Sequence, residues 1–324
     1  MTKLTRIIAG LALSMTLAGT AFATEFRSSD VHPDDYPTVM AVKKMSELIA
    51  ERTGGKHTIK VFGQSALGSE KDTVEQVKIG ALDLVRVNVA AFNNIVPETI
   101  VPALPFLFNS KEHMRKALDG EVGEKILAAL ESQGFIGLAF YDSGSRSFYT
   151  TEKPIKSVAD MKGLKLRVQQ SDLWVTLIES LGANPTPLPY AEVYTALKTG
   201  IVDGAENNWP SYESSKHFEV AKNYSLTEHS MSPELLVFSK VVWDTLSPED
   251  QAVIRQAAKD SVPYMRELWD AREAKSRAAV EAGGATITSE IDRQSFIDAA
   301  QPVYDKFAAD PALQALIEQI RAIQ

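Results

Sequence analysis

The amino-acid sequence predicts an α/β protein of two lobes with a cleft between them. Three observations predict it: a β-α-β-α-β order that is read twice, a short motif that recurs at a fixed offset, and two buried-type strands where the chain passes between the halves. With 324 residues the chain is long enough for two lobes of ordinary domain size.

In the first half, Glu25 to Ser29 reads as a strand that runs into the polar loop Asp30-Val31-His32-Pro33-Asp34-Asp35-Tyr36-Pro37. Val39, Val42, Met45, Leu48 and Ile49 then follow helical spacing, and Gly54-Gly55 ends that helix. Ile59 and Val61 alternate as in a strand. Ser69 and Asp72 form a capping pair for the next helix, Gly80 closes it, and Leu82 to Val89 is a strong strand. Such an order needs parallel strands with helical crossovers.

The second half repeats the logic. Leu164 to Val168 is a strand, Asp172 to Leu181 a helix, Pro185 to Leu188 an extended segment and Tyr190 to Thr199 a helix; Ile201-Val202-Asp203 begins the next strand. Lys78-Ile79-Gly80-Ala81-Leu82-Asp83 and Lys198-Thr199-Gly200-Ile201-Val202-Asp203 share K-x-G-x-x-D at an offset of 120, and Asn88 and Asn208 fall at the same offset. This is the mark of a duplication. Phe135 to Tyr141 and Glu234 to Ser239 read as strands flanking two crossovers, a hinge that permits closure around a ligand. The expected first lobe is 24–145 plus about 235–270, and the second 146–234 plus about 271–324. Long C-terminal helices, interrupted or bent near Pro263, would cross both.

The N-terminus reads as an export signal. Lys3 and Arg6 precede an apolar run from Ile7 to about Leu17, and Ala21-Phe22-Ala23 is a small-x-small cleavage pattern. The run is shorter than the roughly 20 apolar residues that span a bilayer. Cleavage after Ala23 implies a periplasmic protein. The formal net charge is −8, and the signal removes basic residues only, so nucleic acid is not an expected partner. Cysteine is absent, which removes thiol nucleophiles and thiolate metal sites.

Catalytic motifs are lacking too. There is no G-x-S-x-G elbow, P-loop, G-x-G-x-x-G or H-E-x-x-H. His32, His57, His113, His217 and His229 never fall three or four apart, so no helical metal pair exists. The expectation is a binding protein without cofactor or metal, not an enzyme.

Open parallel sheets bind ligands beyond the carboxyl ends of their strands. In the first lobe that rule selects the loop with His32 and Tyr36, the Gly63–Glu70 turn and Asn88. In the second it selects Gln169 to Trp174, Pro187 to Glu192, and Glu206 to Trp209, with Arg146 at the crossover. Arg167 is the most informative. A guanidinium in a buried strand needs a partner, and its planar fork suits a carboxylate, either a ligand's or an internal one. Each first-lobe residue has an equally simple structural reading: His32 or Asn88 could serve a turn, and Glu70 a helix dipole. Trp174, Trp209 and Tyr212 could stack on a sugar ring or simply pack.

Asp160-Met161-Lys162-Gly163-Leu164-Lys165-Leu166-Arg167, Leu181-Gly182-Ala183-Asn184-Pro185 and Val202-Asp203-Gly204-Ala205-Glu206-Asn207 together resemble the solute receptors of TRAP transporters, the DctP family, over essentially the whole chain. The resemblance implies a periplasmic-binding-protein fold. It also implies that Arg167 clamps a carboxylate, that Asn207 lines the pocket, and that the ligand passes to membrane permease subunits driven by an ion gradient. The Asp30 to Pro37 stretch resembles the uronate-binding branch. A second carboxylate beside Glu70 would be repelled, whereas sugar hydroxyls would donate to it, so the expected ligand is a hexuronate such as D-glucuronate or D-galacturonate. The expected ligand-binding residues are Arg167, Arg146, Asn207, Glu70, Asn88, His32, Gln169 and Tyr36. Alternatives are another carboxylate (an aldonate, keto-sugar acid or C4-dicarboxylate), or a periplasmic sensor or enzyme on the same fold.

Overall fold

The computed structural model describes residues 23–323; all but the last residue of the expected signal segment lies outside the described residues. The strands β1 (Thr24–Ser29), β2 (His57–Phe62), β3 (Leu84–Asn88), β4 (Phe135–Tyr141) and β10 (Glu234–Ser239) form one sheet in the order β2-β1-β3-β10-β4. The strands β5 (Arg146–Thr150), β6 (Lys165–Val168), β7 (Asn184–Pro187), β8 (Gly204–Asn207), β9 (Asn223–Ser230) and β11 (Thr286–Thr288) form the other, ordered β11-β9-β5-β8-β6-β7.

The sheets share one plan. In each, three parallel strands (β2-β1-β3 and β7-β6-β8) are joined by an antiparallel pair (β10-β4 and β5-β9). The repeated motif does the same work twice. Asp83 accepts the backbone N–H of Arg27 at 2.6 Å, and Asp203 accepts that of Lys165 at 2.8 Å, so each aspartate ties down the central strand beside it. Gly80 and Gly200 take φ of 75° and 72°, left-handed conformations that glycine adopts without strain.

The antiparallel strands are exchanged between the halves. The chain leaves β4 at Tyr141 and enters β5 at Arg146, then returns from Ser230 in β9 to Glu234 in β10. Tyr141 pairs with Glu234 and Arg146 with Ser230, so the two crossovers lie side by side. Gly144 in the first presses against the helix Pro248–Ala282: a Cβ there would stand 2.4 Å from Glu273 Oε1. This helix packs on the helix Pro37–Arg52, on β4 and on the helix Trp209–Ser214, and so crosses from one sheet's side to the other's.

Three expectations need correction. The helix is not interrupted at Pro263 but runs unbroken from Pro248 to Ala282, with Pro263 on its exposed face. The strand expected from Ile201 begins only at Gly204, since pairing with β5 from Ser147 to Thr150 fixes its register, and residue 204 must be small: a Cβ there would meet Tyr149 O at 2.5 Å. The helix expected over Tyr190–Thr199 opens as a 3-10 turn, Tyr190–Glu192, before the α-helix Val193–Lys198.

An apolar cluster runs from Val85, Val87 and Phe92 through Trp174 to Leu166, Val168 and Phe296, so the core continues from one sheet to the other. Ser171 donates to Asn93 at 2.9 Å, and the Tyr36 and Ser211 hydroxyls lie 2.8 Å apart. Side chains of the two halves thus meet directly. The last helix, Pro311–Arg321, packs on the helix Glu121–Ala129 and the turn Pro97–Ala103, with His113 Nε2 2.8 Å from Ile320 O.

Candidate functional site

Arg86 in β3 has both faces of its strand buried, so its guanidinium must be paired where it stands. Its Nε donates to Asp30 at 2.7 Å and its Nη2 to the other oxygen of the same carboxylate; Nη1 reaches Glu234 at 2.5 Å and Glu70 at 3.7 Å. Burial alone would lower the pKa of Arg86, but the charges of Asp30 and Glu234 more than reverse this. Glu70 heads the helix Glu70–Lys78, which the capping box Ser69/Asp72 begins, and it accepts the backbone N–H of Asn88 at 2.9 Å. Burial, reinforced by Glu234 and opposed by Arg86, pushes its carboxyl up to about 7.

The facing sheet has the opposite balance. Arg146 grips Glu206 through Nε and Nη2 at 2.5 and 2.8 Å. Burial would raise Glu206, but Arg146 overrides it and holds the carboxyl at about 2. Arg167, 4 % exposed, gives Nε and Nη2 to the carbonyl of Leu188 at 2.9 and 2.7 Å. Among the described residues no carboxylate lies within 4.0 Å of its guanidinium. Burial accordingly lowers its pKa. The internal ion pair that the sequence left open is realised at Arg146, not at Arg167.

These groups face one cavity. His32, Glu70, Asn88, Arg146, Arg167, Gln169 and Asn207 line it, together with Val31, Arg86, Tyr190, Ser211 and Glu234. From the first sheet's side come Glu70 and Glu234, around Arg86; from the second come Arg167 and Arg146, whose Nη1 groups make no hydrogen bond to the described protein. Asn207 accepts the backbone N–H of Asn208 at 2.9 Å, leaving its Nδ2 without a protein partner. His32 Nδ1 and Gln169 Oε1 are also without protein partners. Burial and then the charges of Arg86, Arg146 and Arg272 keep His32 well below its ordinary pKa, so the ring is neutral.

Two expected residues sit differently. Tyr36 does not line the cavity; it lies behind His32, stacked at 3.7 Å, with its hydroxyl on Ser211. Asn88 lines the cavity, but its side chain is saturated: Nδ2 donates to Ser232 O and Glu234, and Oδ1 accepts from Ala90 N and the Ser232 hydroxyl. Its role is to cap a turn and position Glu234. Trp174, Trp209 and Tyr212 pack, and none lines the cavity.

Residues 28–310 match the family described as bacterial extracellular solute-binding protein, family 7, DctP. The chain belongs to the DctP family. Its fold is that of a TRAP periplasmic solute-binding protein from Bradyrhizobium sp. BTAi1 solved with galacturonate (63 % identity, TM-score 0.91, covering 92 % of this chain and 99 % of that one). It is equally close in fold to one from Roseobacter denitrificans solved with β-D-glucuronate (45 %, TM-score 0.90, 93 % and 100 %). A solute-binding protein of Chromohalobacter salexigens is 41 % identical over 97 % of this chain and 94 % of its own. The DctP chain is thus a solute receptor of the TRAP type and not an enzyme. Family members are periplasmic receptors.

In this DctP protein the cavity residues that sequence reasoning missed are Arg86, Glu234 and Ser211, while Tyr190 lies inside the selected segment Pro187 to Glu192. Arg86 in Leu84–Asn88 is, like Arg167, a charge inside a buried strand, and was legible on the same ground. Glu234 opens an otherwise apolar strand, which is a weaker signal. Ser211 carries no sequence signal beyond lying after a strand end.

Proposed function

We propose that this receptor binds a hexuronate, D-galacturonate or D-glucuronate, with the carboxylate on Arg167 and the hydroxyls toward Glu70 and Glu234. The observation that carries the reading is the uncompensated guanidinium of Arg167 in a cavity that Glu70 and Glu234 also line. A buried cation without a counter-ion gains most from an anion, and a planar fork binds a carboxylate through two parallel bonds. Arg146 Nη1 and Asn207 Nδ2 add donors from the same sheet, and His32 and Gln169 offer polar atoms to the ring. A C4-dicarboxylate would bring a second charge against Glu70 and Glu234. The ligands of the galacturonate- and glucuronate-bound relatives support the same choice.

The receptor then delivers its ligand to the permease subunits of a TRAP transporter in the periplasm, after removal of residues 1–23. A ligand that binds only the native state raises its melting temperature by mass action. In a thermal-shift panel, the two uronates raise Tm and succinate and malate do not. A large shift with succinate and none with either uronate would overturn the ligand. Intact-mass analysis of the exported chain checks for a start at Thr24.

A further inference from the structure

Three guanidiniums, those of Arg86, Arg146 and Arg167, meet four carboxylates, those of Asp30, Glu70, Glu234 and Glu206, in and around the cavity before any ligand enters it. An anionic ligand adds a fifth carboxylate. An enclosure of low polarisability penalises such an excess of one sign, and the standard remedy is protonation of the carboxylate least well held.

Geometry says which one that is. Glu206 is bidentate on Arg146. Asp30, raised by burial, has both oxygens on Arg86, accepts the backbone N–H of His32 at 2.8 Å, and does not line the cavity. Glu234 sits 2.5 Å from Arg86 and accepts from Asn88. Glu70 has only one hydrogen bond, from Asn88 N, and a distant contact of 3.7 Å with Arg86, while its side chain keeps 19 % of its surface accessible.

The charged and titratable groups around Glu70 come from each neighbouring element: Arg86 on β3, Glu234 on β10, His32 on the first loop, Arg167 on β6, Tyr190 opposite, and Lys71 beside it at the mouth. His32 stays neutral through burial and its arginine neighbours, so it does not compete for the proton. The charge of Arg167 helps to keep Glu70 ionised. A ligand carboxylate on Arg167 cancels that help.

We propose that capture of the sugar acid is coupled to uptake of one proton from solvent by Glu70, which in the closed complex is a neutral acid donating a hydrogen bond to a ligand hydroxyl. The inference rests on the placement of the ligand carboxylate at Arg167. In the free receptor burial has already pushed Glu70 up to about 7, and the bound anion moves it further in the same direction. The dissociation constant then rises by up to about tenfold per pH unit above pH 7, until the bound-state pKa is passed.

The test is calorimetry of D-galacturonate binding at pH 7.5 to 8.5 (about) in phosphate and in Tris, two buffers of different ionisation enthalpy. The expected result is an apparent heat that differs between the buffers, corresponding to uptake of a substantial fraction of a proton. The Glu70→Gln variant, which keeps an acceptor for Asn88 N–H, is expected to give a buffer-independent heat and a pH-independent affinity. Buffer-independent heat in the unaltered protein, or undiminished uptake in Glu70→Gln, would overturn the proton coupling and leave the uronate reading standing. Absence of any binding by D-galacturonate and D-glucuronate would overturn both.

Discussion

The two sheets repeat one architecture, yet they treat buried charge in opposite ways. On the first, one guanidinium, Arg86, is shared by three carboxylates. On the second, two guanidiniums, Arg146 and Arg167, face a single carboxylate, Glu206. The offset of 120 that aligns Asp83 with Asp203 also aligns Arg86 with Glu206, so β3 and β8 carry opposite signs at corresponding positions. The difference teaches where recognition comes from. The common plan supplies a cleft between two sheets, and in the proposed reading the inversion of charge across it orients a ligand charged at one end only.

The strongest way to break the comparison is to remove the cation from the acidic side. Arg86→Met leaves three carboxylates without their counter-charge and is expected to cost about 3–5 kcal/mol of stability, read by denaturant unfolding. The loss shrinks as pH falls, because burial raises the carboxyls of Asp30 and Glu70 and their protonation relieves the repulsion. A loss that did not change with pH would show that Arg86 acts only through packing.

On the basic side, Arg167→Ala is expected to weaken D-galacturonate binding by about 2–5 kcal/mol, at least ~30-fold in the dissociation constant, while unfolding stability falls little or rises. The two arginines thus separate by readout: one serves stability, the other affinity. Unchanged affinity by calorimetry would remove Arg167 from the clamp.

Glu206 sharpens the contrast through acid. Its folded pKa, about 2, lies below the ordinary value of 4.5, so its stabilisation is fully present above pH 4.5 and is lost as pH falls toward 2. That loss amounts to about 3 kcal/mol. In Glu206→Gln the stability is lower at neutral pH and the acid limb correspondingly shallower; an acid limb of unchanged depth would contradict the pairing.

The smallest effect belongs to closure at the rim. Arg272 on the long helix reaches Asp35 at 3.0 Å and Glu213 at 2.7 Å, bridging the first loop and the helix Trp209–Ser214. Both pairs are partly exposed, so Arg272→Ala is expected to cost about 0.2–1 kcal/mol, at most about fivefold in affinity, and to widen the free receptor in small-angle scattering.

What could be read from the sequence was local or strongly patterned. The Ser69/Asp72 capping box depends on four consecutive residues, and β4 throughout and β10 from Leu235 to Phe238 are apolar, so their limits were legible. The start of β8 was not, because the register comes from β5, more than fifty residues away. The strand β9, Asn223–Ser230, has neither an apolar run nor clean alternation, and it exists because β5 pairs with one of its edges and β11 with the other. At the site, Arg167 stood out as a charge in a buried strand. Whether Arg167 or Arg146 held the internal ion pair depended on the position of Glu206, which only the folded chain decides. The saturation of Asn88 was hidden for the same reason: its partners, Ser232 and Glu234, are more than 140 residues away.

The polarity of the cleft is tested most directly by a crystal structure of the receptor with D-galacturonate. The account predicts the ligand carboxylate within about 3 Å of Arg167, with hydroxyls on Glu70 and Glu234. A ligand turned end for end, with its carboxylate toward Arg86 and its hydroxyls on Arg167, would contradict it.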